Sequence, residues 1–232
     1  MNRKTIILIF TLTISLVAVI LFCFISISTI TQSVNKTIEF KPTIIIDPGH
    51  GGEDGGATVN NILEKNINLS IAIKLKDIFE SNGFSVIMTR DTDSDLSDNN
   101  TNKKFSDLNK RVSIFNSSLN NIVISIHQNK FTNSKYRGAQ VFYSDNNENS
   151  KTFAECISMS INNLLQPYNN RQTKLAGSEI FILDKTDVPA VLVECGFLSN
   201  AEDISLVTDE NYQTKLAFTI YLGFLDYYYK NY

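Results

Sequence analysis

Three stretches of nearly unbroken hydrophobicity constrain this chain more than anything else in it: "TIIIDP" from Thr43, "NIVISIH" from Asn121 and "PAVLVECGF" from Pro189. Each has the length of a strand, and a strand this apolar along its whole run must be covered on both faces. "FSVIMTR", "GAQVFYS" and "SEIFILD" add three further strand candidates. Helical patterns alternate with them. In "EKNINLSIAIKLKDIFESNG" the residues Ile67, Ile71, Leu75, Ile78 and Phe79 recur at helical spacing, and Asn82-Gly83 closes the run as a C-cap. "SDLNKRVSIFN" reads as a helix capped by Ser106. "NSKTFAECISMSINNLL" is amphipathic, and "NYQTKLAFTIYLGFLDYYYKNY" ends the chain as a helix. Strands alternating with helices predict an α/β layered fold with a parallel or mixed sheet, whose ligand site lies at the carboxyl ends of the strands.

The amino terminus obeys a different rule. Arg3 and Lys4 precede an apolar run with no further charge until Lys36. Such a run exceeds the roughly 20 residues that span a hydrocarbon core, and it is longer than the h-region of about 7–15 residues of a cleavable signal. Ser26-Ile27-Ser28 is a poor cleavage site, and Phe22 before Cys23 does not form a lipoprotein box. We therefore expect a retained signal-anchor over residues 1–30, a polar linker over 31–41 and one globular domain over 42–232. The leading basic residues put the amino terminus in the cytoplasm and the rest outside. The 232 residues are 43% hydrophobic and 19% charged, enough for a real core, and the net charge of -3 argues against a nucleic-acid partner. Cys156 and Cys195 are expected to be buried thiols, with a disulfide between them as the alternative.

The strand tips carry the chemistry. "TIIID" runs through Pro48 and Gly49 to His50, "NIVISI" to His127 and "PAVLV" to Glu194, so both histidines of the chain and one acid stand at the ends of separate apolar strands. Glu64 stands where the first helical period begins, after a glycine-rich loop. Two imidazoles and a carboxylate are the usual protein ligands of a hydrolytic zinc ion, and a further carboxylate can shuttle the proton. Glu194 in an otherwise apolar strand needs such a reason. Glu64 alone would be an ordinary acid at a helix start. Asp47 or Asp54 could hold the second nitrogen of a histidine.

The wording of these segments narrows the reading. "IIIDPGHGGEDGGA", Glu64 opening "EKNINLSIAIKL", then "SIHQN", "RGAQVFY" and "PAVLVECGFLSN" together resemble the zinc-dependent N-acetylmuramoyl-L-alanine amidase family, from about Thr43 to the last helix. The resemblance implies a single α/β domain with a mixed, mostly parallel sheet of about six strands flanked by helices. It implies one Zn2+ held by His50, Glu64 and His127, with Glu194 as catalytic base. The implied substrate is peptidoglycan, cut between the lactyl group of N-acetylmuramic acid and L-alanine of the stem peptide. Gln128, Lys130 and Cys195 depart from the commoner pattern of the family. A lone catalytic domain on an anchor, with "YRGAQVFYS" and "AGSEIFILDKTDVPAVLVECGFLSN", is most similar to the sporulation-type members. That likeness implies work on spore cortex, for muramic-δ-lactam formation and germination, and an activating lipoprotein partner. The expected location is the membrane, with the catalytic domain extracytoplasmic, at the cell surface or in the forespore intermembrane space. A general autolysin of cell separation and a catalytically silent muropeptide-binding protein are the alternatives.

Overall fold

The computed structural model describes residues 2–34, 41–98 and 102–232. It divides into two compact units, Met1–Lys41 and Pro42–Tyr232. The first is one helix, α1 (Arg3–Val34), of which Arg3–Phe24 is long and apolar enough to cross a membrane. Most of the expected linker, residues 35–40, lies outside the described residues.

The second unit runs β1 (Thr43–Pro48), a short hairpin of β2 (Thr58–Val59) and β3 (Ile62–Leu63), α2 (Glu64–Ser81), β4 (Ser85–Met88), α3 (Lys103–Phe115) and β5 (Asn121–Asn129). It continues with β6 (Gln140–Tyr143), α4 (Asn149–Leu164), β7 (Lys174–Leu175), α5 (Phe181–Asp184), β8 (Ala190–Phe197), α6 (Ala201–Val207) and α7 (Glu210–Asn231). The main sheet has the order β4-β1-β5-β8-β6-β7. Strands β4, β1, β5 and β8 are parallel; β6 runs antiparallel to β8, and β7 parallel to β6. This is the mixed, mostly parallel six-stranded α/β sheet expected.

Side chains alternate across the three central strands because successive Cβ atoms point to opposite faces. Ile44, Ile46, Ile122, Ile124, Ile126, Val191 and Val193 pack with α2, α4 and α7 in the larger core. Ile45, Val123 and Leu192 face the smaller core, with Phe115 of α3 and Leu183 of α5. Continuing that second set toward the carboxyl ends brings Asp47, Ser125, His127 and Glu194 onto one face, at the end where an α/β sheet opens.

Two local expectations need correction. "SEIFILD" is not a strand: Phe181–Asp184 is the single turn α5. Its apolar run is too short for periodicity to separate strand from helix, and the turn lets Ile182 and Leu183 both reach the smaller core. The sixth strand is β7 instead, the half-exposed pair Lys174–Leu175. The cap of α3 is Asn102, whose side chain accepts from the Phe105 amide, and not Ser106. An Asn can cap as well as a Ser, and it stands a turn earlier. Cys156 and Cys195 are free, buried thiols, so the disulfide alternative falls.

Candidate active site

β1 ends by delivering Pro48, Gly49 and His50 into a loop whose backbone is gripped from two sides. Arg111 of α3 donates to the Pro48 and His50 carbonyls, and Arg90, just after β4, donates to Pro48, Gly49 and Lys65. Arg111 is itself fixed to the fully buried Asp47 (2.5 Å) and to Asp107 (2.7 Å). Burial alone would raise the Asp47 carboxyl; Arg111 and the Ser125 and Thr89 hydroxyls outweigh it and hold it low. His50 thereby adopts a left-handed backbone (φ 63°), an uncommon state for a side chain of its size.

Two glycines make room for the side chains. A Cβ on Gly49 would lie 2.1 Å from the His127 ring. A Cβ on Gly56 (φ +65°) would lie 2.6 Å from Glu64 and 2.7 Å from His50. Glu64 opens α2 from beneath and is 3% exposed. Its Oε1 lies 3.3 Å from His50 Nε2 and 3.0 Å from His127 Nδ1, and accepts from the Gln128 amide and Asn68. Its Oε2 accepts from the Ala57 amide. Ligand atoms of His50, Glu64 and His127 lie within 4.8 Å of one another. Asp54 Oδ2 is 2.9 Å from His50 Nδ1 and leaves Nε2 facing Glu64. Asp54 therefore holds the histidine from outside, and Asp47 does not, because its oxygens serve Arg111, Thr89 and Ser125.

Glu194 stands beside His127 in the β5–β8 register. Its Oε2 is enclosed and makes no hydrogen bond, which leaves an acceptor without a partner next to the cluster. Burial pushes its carboxyl up to about 7; the histidines pull it down and Glu64 pushes it further up. A carboxyl raised in this way is suited to both taking and giving a proton. His50 responds oppositely: burial would lower it, but Glu64 and Asp54 lift it to about 9. The carboxylate of Glu64 is held low against burial by the two histidines. Two imidazoles and one carboxylate, converging with their outer atoms already fixed, fit a divalent metal of the zinc type.

Arg90, Arg111 and Asn68 were not legible as site residues. Arg90 and Arg111 sit 40 and 61 positions beyond His50, and an isolated arginine on a helix is read as a solvated charge. Lys130 donates to the Thr58 carbonyl and ties the end of β5 to the β2 hairpin, while Gln128 donates to Asn68 under Glu64.

A parallel-centred sheet with a His–Glu–His cluster beside its strand ends is the arrangement of an α/β enzyme domain whose cluster could hold a metal ion. The sequence profile described as N-acetylmuramoyl-L-alanine amidase matches residues 44–226, and the chain belongs to that family. It is 36% identical over 189 residues to the germination-specific N-acetylmuramoyl-L-alanine amidase of Bacillus subtilis (strain 168), covering 80% of this chain and 79% of the relative. Among solved structures it resembles the CwlD amidase from Clostridioides difficile in complex with the GerS lipoprotein, with a TM-score of 0.77 and 40% identity. That match covers 82% of this chain and 100% of the other. The N-acetylmuramoyl-L-alanine amidase from Clostridium difficile 630 aligns with a TM-score of 0.72 and 28% identity, over 82% and 98% of the two chains.

Proposed function

We propose that this chain is a membrane-anchored zinc amidase that releases stem peptides from N-acetylmuramic acid in spore cortex. The observation that carries the chemistry is the convergence of His50, Glu64 and His127 next to the unpartnered carboxylate of Glu194. The three converging residues would hold one zinc ion, which when bound would supply Lewis acidity toward a carbonyl and acidify water. Asp54 keeps His50 in the tautomer that presents Nε2. The Gln128 amide and Asn68 fix the Glu64 carboxylate, and Glu194 takes the proton of the attacking water and returns it to the departing nitrogen of L-alanine. Residues 1–30 act as signal-anchor, 31–41 as linker and 42–232 as catalytic domain on the outer side of the membrane. The sporulation role rests on the likeness to the germination-specific amidase, and a lipoprotein partner on the likeness to CwlD in its GerS complex.

The test is metal content and muropeptide products by mass spectrometry, on the full chain in detergent. Glu194→Gln retains zinc and loses roughly 100- to 10,000-fold in rate, the range for a general base. His50→Ala loses both metal and activity. Near-normal turnover by Glu194→Gln removes it from the proposed role.

A further inference from the structure

A trough of about 490 Å3 leads away from the catalytic groups. His50, His127 and Glu194 close one end, and Leu108, Ile182 and Leu192 form an aliphatic floor. Its walls are α3 and the turn into α5, which meet through Phe105 and Phe181 at 5.7 Å. Most charges along it are satisfied internally: Lys103 with Glu53, Arg111 with Asp47 and Asp107, and Asp54 with His50. Two are not. Lys104 on α3 and Glu179 before α5 line the trough, are exposed, and form no ion pair among the described residues. Lys104 also stands in the first turn of α3, which holds no acid, where the helix dipole disfavours a cation.

We infer that this trough takes the peptide arm of the substrate, with Lys104 binding a carboxylate and Glu179 an ammonium group of a short zwitterionic peptide. The inference rests on the amidase reading above. The trough opens directly from the catalytic groups and offers a path for one arm of the substrate. A stem peptide offers a methyl side chain to an aliphatic floor, then free carboxylates and the amine of a diamino acid. A glycan offers neutral hydroxyls, which leave the unpaired charges of Lys104 and Glu179 without a counter-charge.

The test is calorimetry on the full chain in detergent with the tripeptide L-alanyl-γ-D-glutamyl-meso-diaminopimelate, its carboxyl-amidated form and its form acetylated on the side-chain amine. Amidation weakens binding to the wild type about tenfold, the usual worth of one charged hydrogen bond, and does not weaken binding to Lys104→Gln further. Acetylation behaves the same way against Glu179→Gln. Undiminished sensitivity to amidation in Lys104→Gln and to acetylation in Glu179→Gln overturns the assignment. So does absence of tripeptide binding to the wild type. A chain that cleaves muropeptides yet shows no such coupling keeps the amidase reading and loses this subsite. A chain that couples as expected yet cleaves nothing keeps the peptide trough and loses the amidase reading.

Discussion

Gly49 is the residue on which the site closes. The His127 ring occupies the space its side chain would need, at 2.1 Å. Gly49→Ala should cost about 1–3 kcal/mol through overpacking and displace the His127 ring, so the thermal midpoint falls, and with it the metal content that the proposed ligation predicts. His50 gives a pH signature in the metal-free protein. Its folded pKa, about 9, lies above the ordinary value of 6.5. The stabilisation it gains from Glu64 and Asp54 is then fully present below the ordinary value and is lost as pH rises through about 9. In the proposed ligation a metal would have to displace that proton, so its affinity would weaken as pH falls below the same point. Denaturant unfolding of the metal-free chain between about pH 6 and pH 10 should show the decline, with Asp54→Asn shifting it downward; a flat profile removes the pairing. His50, His127 and Glu194 were legible because each is a polar residue at the tip of an apolar strand. Asp54 was legible only as one of two choices, since loop spacing does not say which carboxylate turns toward the ring.

At the scale of elements, α3 matters more than its sequence suggests. It looks like an ordinary amphipathic helix, yet Arg111 is 2% exposed and ties α3 to Asp47 on β1 and to the carbonyl of His50. Arg111→Ala leaves Asp47 buried without its partner, which typically costs about 3–5 kcal/mol. The midpoint of denaturant unfolding reads that loss. In the wild type the same pair gives stability present above the ordinary aspartate pKa of 3.8 and lost as pH falls through the lowered folded value. Asn102→Ala removes the α3 cap and should cost about 1 kcal/mol by the same measurement, with catalysis intact. The misreading of "SEIFILD" belongs to this scale too: four apolar residues fit a strand or a helical turn, and only the α3 surface above them decides.

At the scale of the whole molecule, α1 carries no charge between Lys4 and its end at Val34, and the following unit holds both cores. The full chain should resist carbonate extraction from membranes and run at its unprocessed mass, whereas removal of residues 1–41 should release it; recovery of a shortened soluble form would mark a cleaved signal. The alternation of long apolar strands with helices, the apolar interior and the ligand-type residues at strand tips were determined by the sequence alone. Periodicity and strand ends are local properties that a single chain states directly. Which helix covers which face, the grip of Arg90 and Arg111 on the Pro48–His50 backbone, and the trough between α3 and α5 were decided only by tertiary structure. Each depends on residues tens of positions apart meeting in a packed interior, where burial removes water and leaves each charge to the one partner within reach.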